Sequence, residues 1–289
     1  MLKYIHLIRV HQWLKNFFVF APLFFSGSLF DVDKFISCTF AFLIFSLNAS
    51  SLYIINDYMD IEKDRLHPAK SKRPLAAGTV TKVTAMSLFC FLAITSFVLS
   101  YFINKNLTIV LGIYFLMNLF YSFGLKKISL IDIFIISIGF VLRVTAGGVV
   151  GEIEISYWLY IMTFLIALFI AFAKRRDDVL LEKETGEQMR KSISGYNLEF
   201  ISSAISILCG ILVVSYLLYI TSPEIISRFQ NKHAYISTVF VIMGILRYLQ
   251  ITLVEGKSGS PTKVLIGDLF LQTTVILWML FFAVIIYIK

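Results

Sequence analysis

Charge is scarce in this chain. Only 15% of its 289 residues are Asp, Glu, Lys or Arg, against 58% hydrophobic, far more apolar surface than a soluble domain of this length can hide. That excludes an ordinary soluble protein, and nothing in the composition calls for nucleic acid. Cysteine is nearly absent: Cys38, Cys90 and Cys209 fall in separate apolar runs, too scattered for a metal site, and read as packing residues. No internal repeat is evident, which argues against a transporter built from matching halves. No histidine is paired with a carboxylate in an acid-base arrangement. The first apolar run contains Pro22 and follows a basic stretch with Trp13, without a small-residue cleavage site; it reads as an uncleaved first span, not a signal peptide.

What is present is apolar sequence in lengths that suit a bilayer, where about 20 residues make a span. Uninterrupted runs occur at 35–55, 83–103, 107–125, 155–173 and 200–220; runs at 128–150, 234–254 and 264–288 carry one or two ionisable residues, and a shorter run at 16–30 completes nine. The expected fold is all-α: a polytopic membrane protein, one integral membrane domain over residues 1–289. Orientation follows from the positive charges. With the N-terminus in the cytoplasm, the inner segments hold Lys3, Arg9 and Lys15, six basic residues between Lys63 and Lys82, Lys126 and Lys127, six between Lys174 and Lys191, and Lys257 with Lys263. Those are 19 of the 26 basic residues, with five outside and Arg143 and Arg247 inside spans. The C-terminus is then outside.

The chemistry is concentrated in one segment, Asn56 to Gly78, where carboxylates, basic residues and two prolines interrupt the apolar pattern. If the segment is helical, Asp57, Asp60 and Asp64 fall within an arc of about 60° and Glu62 points the other way. Clustered carboxylates raise one another's pKa and need a partner; hard oxygen ligands beside an anionic substrate suit Mg2+ bound to phosphates. Arg65, Lys70, Lys72 and Arg73 follow at once. A second long charged segment, 174–197, places Lys174, Arg175, Asp178 and Glu182 on one mixed helical face, with Asp177 turned away. Read alone, it is equally a solvated connector with a topology-setting basic cluster.

These residues resemble a family. Asn56-Asp57-x-x-Asp60-x-x-x-Asp64 after the second run, nine runs, and a second charged loop after the sixth look like the UbiA superfamily of intramembrane prenyltransferases. More narrowly, the chain resembles the decaprenyl-phosphate phosphoribosyltransferase branch in Gln12-Trp13-x-Lys15-Asn16, in Asp64-Arg65-x-His67-Pro68-x-Lys70 with Arg73-Pro74, in Tyr121-Ser122 with Leu125-Lys126, in Gly139-Phe140 with Leu142-Arg143, and in Lys174-Arg175 with Arg190-Lys191-Ser192 and Tyr196. Two departures stand out: the second acidic motif is Asp178-x-x-x-Glu182, and Asp268 is followed by Leu269 where the branch often has Asp-Arg.

The resemblance implies nine helices around a central cavity open to the cytoplasmic side of the cell membrane. It implies transfer of the 5-phosphoribosyl group from phosphoribosyl diphosphate to a polyprenyl phosphate, releasing diphosphate, for synthesis of cell-envelope glycan precursors. Mg2+ would sit on Asp57, Asp60 and Asp64, the catalytic set. Substrate contacts would come from Asn56, Lys15, Lys70, Arg73, Tyr121, Lys126, Lys174, Arg175, Asp178, Arg190 and Lys191. Breaking the bond from ribose C1 to diphosphate builds charge on the leaving group, so an anion-stabilising site is the main requirement, and a lipid phosphate is already a nucleophilic oxyanion. The alternative within the superfamily is a prenyl diphosphate donor with an aromatic acceptor; a small membrane transporter is a more distant one. Self-association into a homo-oligomer stays open. Arg143 either snorkels toward Glu152 and Glu154 or takes a buried partner.

Overall fold

The structure is a computed structural model that describes residues 2–66, 70–185, 191–229, 233–256 and 261–287. Among the described residues every regular element is helical, which satisfies backbone polar groups within each segment where there is no water to bond. Eight helices are long and apolar enough to cross a membrane: α1 Val32–Met59, α2 Lys82–Ile103, α3 Lys105–Phe123, α4 Ile131–Val150, α5 Tyr157–Thr185, α6 Leu198–Ile220, α7 Thr238–Leu249 and α8 Leu269–Tyr287. α7 is lengthened by a 3-10 turn, Ala234–Ser237, and a π turn, Gln250–Val254. The protein is an integral membrane protein.

The expected ninth span, 16–30, is not one helix of spanning length. A 3-10 helix, Val10–Phe20, hands over to a short α-helix, Ala21–Phe25. Pro22 explains the join: it lacks an N–H and fits only the first turn of an α-helix. Gly27, at φ +77°, then turns the chain out.

Sequence signals fix where the long helices begin. Asp31 accepts from the Lys34 amide (3.2 Å), Thr81 from Thr84 (3.1 Å), Asn104 from Asn106 and Leu107 (2.8 and 3.3 Å), and Asn197 from Phe200 (2.7 Å). Each such cap satisfies backbone donors that the helix cannot.

The chain divides into two compact units, residues 1–126 with 138–155 and residues 127–137 with 156–289. In the first, Val19, Leu23, Ala41, Phe45, Leu107, Leu111 and Ala146 form the core. Small and polar residues let helices approach: Asn48 donates to Ser96 across α1 and α2 (3.0 Å), and Asn16 to Ser46 across the 3-10 helix and α1 (2.9 Å). At Gly147 the approach is backbone to backbone, since a Cβ there would lie 1.8 Å from the Val19 carbonyl oxygen. In the second unit, Leu168, Phe172, Ile201, Ile205, Leu212 and Tyr248 pack together.

Candidate active site

In the first unit α1 ends at Met59, with Asp60 as its C-cap, and the chain resumes as Ile61–Leu66. The interruption is slight, because the amides of Asp60 and Asp64 still bond four residues back (3.1 and 2.8 Å). Asp57 and Asp64 are therefore kept on the inner side, at 2% and 4% exposure, while the Glu62 side chain is 79% exposed and pairs with Arg65. After the described chain resumes at Lys70, a 3-10 turn and Gly78, at φ +69°, fold the segment back. This brings Arg73 against the acids: one guanidinium nitrogen bonds both Asp57 (3.0 Å) and Asp64 (2.7 Å). Arg9, itself in the left-handed region at φ +52° and over the Tyr53 ring, also pairs with Asp57.

Asp60 sits in a different pair. Lys126, just beyond α3, bonds Asp60 (2.7 Å) and the Asn56 side-chain oxygen (3.0 Å). The structure thus brings Asn56, Asp57, Asp60, Asp64, Arg73 and Lys126 together, and it adds Arg9, which the sequence reading had counted only as a topology signal. Three acids face three cations, so the cluster is formally neutral. Among the described residues no three acids, histidines or cysteines converge on one metal position; the donors come as two pairs, Asp57 with Asp64 and Asn56 with Asp60. Hard carboxylates in pairs suit Mg2+, which seldom takes an all-protein cage and is commonly completed by substrate phosphates.

Tyr121 is half-buried near the end of α3, five residues before Lys126. Lys15 lies on the 3-10 helix with its surface accessible. Its ammonium is nonetheless desolvated by surrounding protein and sits near Arg143 and Arg9, which together pull its pKa down to about 8.

The second unit holds the other set. α5 continues as a helix through the charged stretch to Thr185, with Lys174 exposed. Arg175 is buried, and its partners are Asp132 (2.7 Å) and Asp178 (2.8 Å). Asp132, fully buried in the first turn of α4, also accepts from Ser192 (3.1 Å) and Tyr196 (2.9 Å). Burial pushes the Tyr196 hydroxyl pKa up, so it keeps the proton it donates. Arg175 is therefore engaged with acids of its own unit, and the sequence reading missed Asp132. The available signal was a lone acid in an apolar run, which requires a partner. Arg190 and the Lys191 side chain lie outside the described residues, as do His67 and Pro68.

Two ionisable residues inside spans find their partners. Arg143 does not snorkel; it is buried and donates to Asn16 (2.7 Å), the Gly139 carbonyl (2.7 Å) and the Tyr114 hydroxyl (2.9 Å). Arg247 bonds Asp268 (2.7 Å) and holds that carboxyl below its ordinary pKa. It supplies the basic neighbour that Leu269 cannot.

Comparison with known proteins fits this layout. A match to the UbiA prenyltransferase family runs over residues 16–273. The chain is 35% identical over 281 residues to the decaprenyl-phosphate phosphoribosyltransferase of Mycolicibacterium smegmatis, covering 94% of this chain and 88% of that protein. It is 33% identical over 285 residues to that of Corynebacterium glutamicum, covering 97% and 86%. Its fold resembles a UbiA homolog from Archaeoglobus fulgidus solved with GPP and Mg2+, at a TM-score of 0.70 and 18% identity over 99% of this chain and 100% of that one. With a family match through most of its length and relatives of this identity over nearly all of it, the chain belongs to the UbiA prenyltransferase family.

Proposed function

We infer that this chain is a membrane phosphoribosyltransferase that moves the 5-phosphoribosyl group from phosphoribosyl diphosphate to a polyprenyl phosphate. The observation that carries this reading is identity of 33–35% to two decaprenyl-phosphate phosphoribosyltransferases over nearly the full chain. The family match runs through both compact units, which supports a single enzyme. In the reaction the bond from ribose C1 to the diphosphate oxygen breaks and one from C1 to a lipid-phosphate oxygen forms. The electron pair leaves with diphosphate.

The acid–cation cluster suits that departure. Asp57 and Asp64, with Asp60 and Asn56 beside them, are the residues that would hold Mg2+. The metal's contribution is to neutralise charge on the diphosphate. Arg73, Arg9 and Lys126, now bonded to those carboxylates, would turn to phosphate oxygens once the acids have another cation, keeping the site near neutrality. Lys70, Tyr121 and Lys174 serve as further substrate contacts. Arg175 and Asp178 act more simply by shaping the helical extension that carries Lys174; Arg190 and Lys191 are taken as substrate contacts from the family resemblance alone. The site faces the cytoplasm, where 19 of 26 basic residues fall.

The test is direct. Purified protein in detergent is given phosphoribosyl diphosphate, Mg2+ and a polyprenyl phosphate, and diphosphate release and a new lipid product are followed. Efficient transfer from a prenyl diphosphate to an aromatic acceptor, with no phosphoribosyl diphosphate bound in calorimetry, overturns the assignment.

A further inference from the structure

Leu130 is one of three described residues other than glycine with a positive φ, at +67°, a conformation that crowds its Cβ against the following carbonyl. Its side chain is 43% exposed, so packing of that side chain does not impose the conformation. The backbone bonds do. The Leu130 carbonyl accepts from the amides of Ile133 and Phe134 (3.1 and 3.0 Å), which opens α4, and its amide donates to the Tyr196 hydroxyl (2.6 Å). A residue 66 positions away in the chain thus holds the strained amide.

The same hydroxyl donates to Asp132 Oδ1 (2.9 Å). Oδ2 of that carboxylate accepts from Arg175 (2.7 Å) and Ser192 (3.1 Å), so the residues that follow Lys174 and Lys191 meet on one oxygen atom. Ser129 completes the ring of contacts: its hydroxyl donates to the Ser192 carbonyl (2.7 Å), and a Cβ on Gly195 would lie 2.1 Å from its oxygen. The 3-10 turn Lys191–Gly195 is therefore seated on 129–132 with no room for a side chain between them, all of it within the second unit. Asp132, Arg175, Ser192 and Tyr196 are buried. What they determine is where the backbone that carries Lys191 lies relative to the backbone that carries Lys174.

We propose that Tyr196 is a positioning residue for the phosphoribosyl donor: its hydroxyl locks Leu130 in the left-handed conformation, and that lock keeps the Lys191–Gly195 turn seated beside Arg175. This rests on the phosphoribosyl reading, in which Lys174 and Lys191 are substrate contacts. Without the hydroxyl nothing offsets the strain at Leu130; segment 129–132 relaxes, and the turn loses its seat. Glycine at position 130 would hold the same backbone without strain. The lock therefore requires that a second substitution, at Leu130, repair the first.

Tyr196→Phe, Leu130→Gly and the double variant are compared with wild type, each as the full chain in detergent. Calorimetry with Mg2+ gives the affinity for phosphoribosyl diphosphate, and steady-state kinetics separate KM from kcat. Amide hydrogen exchange follows residues 191–197, where the Tyr196 amide bonds the Ile193 carbonyl (2.8 Å) while the turn is formed. Tyr196→Phe should weaken donor binding and raise KM about fivefold to tenfold, leave kcat within about twofold, and speed exchange of the turn by a similar factor. Leu130→Gly alone should change affinity little, and the double variant should recover most of the loss in both readouts; a tyrosine that only adds stability would make the double variant worse than either single one. Ser129→Ala, which removes only the bond to the Ser192 carbonyl, should move both readouts the same way by less, and it decides the matter if Tyr196→Phe does not fold. The proposal is overturned if wild type binds phosphoribosyl diphosphate and Tyr196→Phe and Ser129→Ala bind it equally well, or if Leu130→Gly does not repair the loss. If wild type neither binds nor uses phosphoribosyl diphosphate, the assigned reaction falls and the donor role of Tyr196 falls with it.

Discussion

Replacing Asp132 by asparagine keeps the shape of the side chain and removes its charge. Arg175 is then left 1% exposed beside Asp178, 2.8 Å away and more open to solvent. Removing one partner of a buried pair costs about 3–5 kcal/mol. Because Asp178 keeps part of the neutralisation, and asparagine can still accept from Ser192 or Tyr196, the expected loss is about 2–4 kcal/mol. The assay is a double-mutant cycle with Arg175→Met, read by reversible unfolding in mixed micelles. Since the double variant buries no unpaired charge, it should be less destabilised than the sum of the singles by about 1–3 kcal/mol. Strict additivity, within about 0.5 kcal/mol, would refute the pairing, and with it the claim that Asp132 fastens the 191–195 turn to α5.

Four further outcomes follow from the geometry. Asp57→Asn, Asp60→Asn and Asp64→Asn should each lower turnover by about 10-fold to 100-fold or more with melting near wild type, whereas Glu62→Gln, exposed on the far face, should change it little; an inactive Glu62→Gln in a Mg2+ titration contradicts the facing. Gly147→Ala should destabilise by roughly 1–3 kcal/mol or more, since the added carbon meets the Val19 carbonyl at 1.8 Å, while Gly210→Ala, with open space around it, should be neutral or mildly stabilising in the same melt. The Lys15 amine should titrate near pH 8 instead of the ordinary lysine value of 10.5, read by pulse labelling and mass spectrometry. Because the folded pKa is the lower one, the unfolded chain binds more protons between those values and stability rises with pH across that window; a midpoint near 10 refutes the desolvation of this amine. Cysteines at Ser71 and Ser222 in a cysteine-free background should label from opposite sides of the membrane, and labelling from one side contradicts the orientation.

Much of the fold was legible because hydropathy and charge act locally. Eight of the nine apolar runs became span-length helices, and the inward facing of Asp57 and Asp64 against Glu62 followed from helical spacing alone, while Asp60, expected with them, pairs separately with Lys126. The first run differs because 3-10 and α geometry share the same composition; only Pro22 signals the change. Partnerships across the chain were not legible. Nothing near Asp132 in sequence points to Arg175, Ser192 or Tyr196, and nothing near Asp57 points to Arg9, which lies 48 residues away. The same holds for Asn16, Tyr114 and Arg143, which three separate segments bring together. Nor does residue type tell the two kinds of intramembrane asparagine apart: Asn48 bridges two helices, and Asn118 bonds a carbonyl of its own helix.

The winding of the segment before Ala21 also acts as a rotational setting. A 3-10 helix turns about 120° per residue and an α-helix about 100°, so rewinding from Val10 would swing Lys15 by about 100° relative to its present heading. It would also shorten the eleven-residue stretch from about 22 Å to about 16 Å. The serine-anchored contacts of Trp13 and Asn16 along α1 hold the tighter winding in place, and they therefore govern both how far along α1 Lys15 sits and which way its amine is aimed. A substitution at Ser46 or Ser50, neither of which carries charge or touches Lys15, should be felt at the amine as a change of direction.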